Sequence, residues 1–128
     1  MVVRPLKGQG AFNDVMRSGR RTTSGPLSLT AAFSGDRSSV ETFTFGVTIG
    51  KRTAKHAVVR NRVKRLLREA VRRSVPARSQ ALSRAGIHTV VLVWRSAPKS
   101  PMLLRLSDVH PHVAAALDQA ISVCSRNA

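Results

Sequence analysis

Residues 51–73 read KRTAKHAVVRNRVKRLLREAVRR, and this stretch organises the rest of the chain. It carries ten of the chain's 22 Lys and Arg residues and a single acid, Glu69. From Ala57 on, Val59, Val63, Leu66, Leu67, Ala70 and Val71 recur at three- and four-residue steps, the period of one helix face. Arg60, Asn61, Lys64, Arg65, Arg68 and Arg72 fall on the broad opposite face. Neither Gly nor Pro interrupts the run, and most of its residues are good helix formers. The spacing predicts an amphipathic helix over 57–74. A solvated helix face usually mixes signs to gain i,i+4 pairs. Here Glu69 can pair with Arg65 or Arg73 and most other cations have no acid in reach, so the face reads as a polyanion-binding surface.

Composition points the same way. The 128 residues fit one domain with one hydrophobic core. A formal net charge of +16 makes the chain repel itself unless a polyanion neutralises it, so nucleic acid is the expected partner. An anionic membrane surface fits less well, because the basic helix lacks bulky aromatic anchors. No apolar run approaches the ~18–20 residues of a membrane span, and the start, MVVRPLKGQG, does not resemble a secretory signal. The lone Cys124 cannot close an internal disulfide, in keeping with a cytoplasmic location.

Taken in order, residues 1–8 form a basic lead-in, with Arg4 and Lys7, that is expected to be mobile. Ala11 to Ser18 places Phe12, Val15 and Met16 at helical spacing, with Gly19 expected as a left-handed C-terminal cap. Arg17, Arg20 and Arg21 near its end either complement the helix dipole or contact RNA. Leu27 to Phe33 and Phe43 to Ile49 alternate as strands around a polar loop, 34–41, and are expected to pair as an antiparallel hairpin. A short helical turn is expected around Ala81-Leu82. Ile87 to Trp94 is a near-continuous β-prone run suited to a strand covered on both faces. After a Pro-punctuated loop at 97–101, Ser107 is expected to cap a last helix with Val109, Val113, Leu117, Ala120, Ile121 and Cys124 buried. The order α-β-β-α-β-α predicts an α+β fold, an α/β sandwich with a single mixed sheet and packed helices.

Few residues here suit catalysis. The six acids, Asp14, Asp36, Glu41, Glu69, Asp108 and Asp118, are scattered, whereas a protein nuclease usually clusters carboxylates around metal ions. His110 and His112 lack an apparent third metal ligand and read as part of a helix N-terminal turn. Gly46 to Arg52 is one residue short of a phosphate loop and has Arg52 where Ser or Thr should hold magnesium. No catalytic or metal-ligating residue is therefore expected, and the chain reads as a binder.

Gly50-Lys51-Arg52, then Arg60-Asn61-Arg62 followed by Val63-Lys64-Arg65 and Arg68, resembles the signature of the protein subunit of bacterial ribonuclease P. The resemblance spans roughly residues 5 to 123 and is specific over 46–72. It implies a left-handed crossover from the second strand through the signature helix, against the usual right-handed preference. It further implies that a partner RNA carries out magnesium-dependent removal of the 5′ leader from precursor tRNA, holding the Mg2+ itself, while the protein assists. In this chain Lys51, Arg52, Lys55, Arg60, Asn61, Arg62, Lys64, Arg65, Arg68 and Arg72 would face ribonuclease P RNA. A leader cleft between the first helix and the sheet would involve Phe12, Met16, Arg17 and Thr30. Met16 and Thr30 stand where the family has aromatics, which thins the stacking platform. Partners are then ribonuclease P RNA and precursor tRNA, with no membrane and no protein partner evident. A structural RNA-binding protein, such as a ribosomal one, fits charge and size equally well. A DNA-binding helix-turn-helix fits worse, since strands flank the basic helix.

Overall fold

A computed structural model describes residues 2–33, 42–49, 56–95 and 104–126. Its elements run β1 (Val2–Pro5), α1 (Gln9–Ser18), β2 (Arg20–Ser24), β3 (Leu27–Phe33), β4 (Thr42–Ile49), α2 (Ala57–Ser74), a 3-10 turn (Pro76–Arg78), α3 (Ser79–Ala85), β5 (Ile87–Trp94) and α4 (Leu106–Arg126). They form a mixed five-stranded sheet with packed helices, in strand order β1-β4-β5-β3-β2. The α2 bounds coincide with the predicted 57–74.

The expected β3–β4 hairpin is not formed. β5 lies between the two strands, antiparallel to β3 and parallel to β4. The reason is hydrophobic: Ile87 and Val90 to Leu92 are fully buried, so β5 gains most from the central position, covered on both faces. The connecting loop 34–41 lies outside the described residues, as does the loop at 97–101. Two strands were not anticipated. Residues 2–5, expected to be a mobile lead-in, pair in parallel with β4, and Arg20–Ser24 pairs with β3. Both are edge strands with little apolar patterning: β2 reads RRTTS and buries only Thr22. Charged, polar edges of this kind discourage edge-to-edge association.

One face of the sheet presents Phe43, Phe45, Ile49, Val90, Leu92, Trp94, Leu27, Leu29 and Ala31 to the core. Val63, Leu67, Ala70 and Val71 of α2 and Val109, Val113, Leu117, Ala120 and Cys124 of α4 close it from above, as their spacing predicted. Ser107 is not the cap of α4. Asp108 instead accepts the backbone N–H of Arg105 through Oδ2 at 2.9 Å, satisfying a donor at the helix start. His112 has a packing role: its ring lies edge-on to Trp94, with centroids 6.2 Å apart, and its Nδ1 is 3.2 Å from Ser24 Oγ.

The opposite face of the sheet carries α1. Gly19 is not a left-handed cap, since its φ of −80° and ψ of 167° are extended. A Cβ there would meet Thr30 Cγ2 at 2.7 Å, the Val15 carbonyl oxygen at 2.7 Å and that of Ala31 at 2.8 Å. Glycine is required because the chain leaves α1 in contact with β3. At the other end of α1, Phe12 Cδ2 would lie 3.4 Å from a Cβ on Gly46 of β4. The helix therefore crosses the sheet from β4 over β5 to β3.

Candidate nucleic-acid interface

Burying Val63, Leu67, Ala70 and Val71 fixes the rotation of α2, and that rotation decides which cations face solvent. Asn61, Arg65, Arg68 and Arg72 are exposed, while Arg60, Arg62 and Lys64 are half-buried at the flanks. Val58, Asn61, Arg62, Arg65 and Arg68 line an open groove of about 510 Å³ along the helix. Val58 is 78% exposed, an aliphatic contact surface at the head of a basic row. Sequence reasoning passed over it because it sits one position off the buried stripe. Among the described residues, Lys64, Arg65, Arg68 and Arg72 have no acidic partner. Their charge is thus available to an external anion.

Other cations of the region are tied to the fold. Arg62 donates from Nη2 to the Leu104 carbonyl at 2.8 Å, holding α2 to the segment that enters α4. Arg73 pairs with Glu69 at 2.9 Å, leaving Arg65 as the partner Glu69 does not take. Arg78 grips both oxygens of Asp118, at 2.8 and 3.3 Å, and donates to the Ser74 carbonyl. Lys51, Arg52 and Lys55 lie outside the described residues.

The residues expected in a leader cleft are only partly brought together. Phe12 lines a hollow of about 150 Å³ with Pro5, Leu6, Phe45, Gly46, Val47 and Arg68. Arg68 thus borders both this hollow and the groove on α2. The hollow exists because β1 pairs with β4 only as far as Phe45, which leaves the edge of β4 open beyond it. Met16 is partly exposed on α1 and Arg17 is exposed beside Asp14, 3.9 Å away. Thr30, by contrast, is 4% exposed and lies beneath the Gly19 end of α1. It supports the helix and offers no open surface.

The described acids do not converge. Asp14, Glu69, Asp108 and Asp118 each serve a separate local contact. Among the described residues, no group of three or more His, Cys, Asp or Glu side chains could hold a metal ion. No described helix is long and apolar enough to cross a membrane. The surface is built to bind a polyanion by charge and shape.

Comparison with known proteins agrees with this geometry. The RNase P protein of Thermotoga maritima superposes with a TM-score of 0.63 at 16% identity, covering 92% of this chain and 96% of that one. The Staphylococcus aureus RNase P protein gives 0.59 at 16% identity, covering 93% of each chain. These likenesses establish a shared fold. No curated protein sequence is similar enough to count as a match. Residues 3–112 match the family model described as Ribonuclease P. That match covers most of the chain, from within β1 through the whole of α2 and β5 into α4, and the chain belongs to the ribonuclease P protein family.

Proposed function

We propose that this chain is the protein subunit of a ribonuclease P ribonucleoprotein and acts in the cytoplasm as a single RNA-binding domain. It binds the catalytic RNA and the 5′ leader of precursor tRNA and assists endonucleolytic removal of that leader. The hydrolysis belongs to the RNA, which holds the Mg2+ it requires. The protein's part is electrostatic and geometric: cations fixed beside packed phosphates displace condensed counterions and lower the repulsion between two RNAs. Neither a membrane nor a further protein is needed.

The observation that carries this reading is the row Asn61, Arg65 and Arg68, exposed along α2 without acidic partners, whose Arg68 also borders the hollow lined by Phe12. The row takes the catalytic RNA, with Lys51, Arg52, Lys55, Arg60, Arg62, Lys64 and Arg72 extending it. The Phe12 end takes the leader. Met16 and Arg17 flank that path on α1. The crossover from β4 through α2 to β5 takes the left-handed sense that the family resemblance implies.

Reconstitution tests it. The protein combined with a bacterial ribonuclease P RNA should restore precursor-tRNA cleavage at magnesium concentrations where the RNA alone is nearly inactive. The protein alone should cleave nothing. Failure to stimulate the RNA, or clean 5′ maturation by RNA-free protein, would refute the assignment.

A further inference from the structure

The sheet face beneath α1 is poor in flat side chains. Register partners share a face, so Arg21, Thr30, Val91 and Gly46 form one row across β2, β3, β5 and β4. The neighbouring row is Thr23, Ser28, Val93 and Thr48, and the row on the other side contains Ala32, Thr89 and Thr44. Phe33, Phe43, Phe45 and Trp94 belong to the core or pack against it. Among the described residues, Phe12 is therefore the one Phe or Trp on the α1 side. Guanidinium planes also lie on this side: that of Arg4, paired with Thr44, and that of Arg21, at the far end of the row whose near end, Gly46, lies against Phe12.

Arg21 is exposed, and it is held in place. Its Nε donates to Ser28 Oγ at 2.9 Å, and Ser28 is itself 1% exposed, so the anchor is rigid. A bond through Nε restrains the base of the guanidinium while the residue as a whole stays exposed. An unanchored surface arginine would lose more rotamer entropy on binding. Guanidinium planes stack on unpaired bases as aromatic rings do.

We infer that Arg21, positioned by Ser28, is a second stacking platform for an unpaired nucleotide of the precursor leader, distal to the one at Phe12. This rests on the reading that the leader lies along α1. Three strand spacings of ~4.8 Å separate the β2 and β4 ends of the row, about 14 Å in all. That exceeds the ~3.4 Å rise of one stacked nucleotide several-fold, so the two platforms serve different nucleotides of one strand.

The test uses the assembled enzyme and precursors with leaders of graded length. The readout is the ratio of precursor affinity to mature tRNA affinity, which cancels any change in the folded fraction. With a long leader, Arg21→Ala should lower this ratio roughly tenfold, within the range of one lost base stack. Arg21→Lys keeps the charge but not the plane and should lower it nearly as much. Ser28→Ala should give an intermediate loss. All three losses should vanish below a threshold leader length at which Phe12→Ala still has its effect. Full rescue by Lys would reduce Arg21 to a phosphate contact and overturn the inference. So would wild-type ratios for Arg21→Ala while Phe12→Ala remains impaired, and in that case the leader reading itself survives. If the wild-type ratio does not depend on leader length, the leader reading fails and this inference fails with it.

Discussion

Replacing Gly19 with Ala tests how α1 is seated, and the structure sets both the sign and the size of the effect. The residue's φ of −80° and ψ of 167° suit alanine, so no backbone strain arises. On that ground alone Gly→Ala would stabilise the fold by ~0.4–1 kcal/mol through the unfolded chain. The added methyl, however, would meet three atoms at 2.7–2.8 Å, and two of them are the carbonyl oxygens of Val15 and Ala31. Thr30 Cγ2, the third, belongs to a side chain that is 4% exposed and has little room to turn. Relieving the clash requires the end of α1 to lift from β3, and overpacking of this kind costs ~1–3 kcal/mol. The net loss is about 1–2 kcal/mol, or roughly 3–10 °C in melting temperature for a domain of this size. Because α1 also carries Phe12, affinity for leader-bearing precursor should fall more than affinity for mature tRNA. Thermal melts and paired affinity measurements check both outcomes. A melting temperature equal to or above wild type would show that the close approach is not real.

Three other substitutions probe the fold. Ser74 Oγ is buried without a hydrogen-bond partner, so Ser74→Ala should raise stability by ~1 kcal/mol, and a lower melting temperature would contradict that. Val63 is 1% exposed in the core beneath α2, and Val63→Asp should abolish the cooperative melt by burying an unpaired charge. Partial desolvation holds the imidazole of His88, an otherwise exposed residue, below its ordinary pKa of 6.5, so the unfolded chain binds a proton more readily than the folded one. The resulting stability is present above pH 6.5 and is lost as pH falls through the folded value. His88→Asn should accordingly lose less melting temperature than wild type between pH 7 and pH 5, the other histidines being common to both.

What the sequence revealed follows from where the hydrophobic signal is strong. Val59, Val63, Leu66, Leu67, Ala70 and Val71 repeat cleanly, so α2 and its solvent face could be read with correct bounds. The stripe of α4 was equally plain from Val109 to Cys124. β1 and β2 were invisible because edge strands need no apolar face: RRTTS is held by β3's backbone and a bond from Thr22 Oγ1 to the Ala116 carbonyl. Strand adjacency was hidden for a different reason. Local alternation in β3 and β4 identifies strands but does not say that β5, much later in the chain, will come between them. Gly19 was read as a conformational glycine when its role is steric, which depends on a neighbour eleven residues away, Thr30. That Arg68 and Phe12 line one hollow depends on where β1 stops pairing, and no local pattern encodes that.

The claim on which everything else rests is that the exposed row of α2 neutralises RNA phosphates, and a salt titration measures it most directly. Affinity of wild-type protein for ribonuclease P RNA should fall steeply and linearly on a log–log plot as counterion release is opposed. Arg65→Ala and Arg68→Ala should each flatten that slope by up to about one unit with an unchanged melting temperature. Asn61→Ala, which carries no charge, should weaken binding and leave the slope alone. If both arginine variants keep wild-type affinity and wild-type slope, the row is an ordinary solvated helix face and the functional account is wrong.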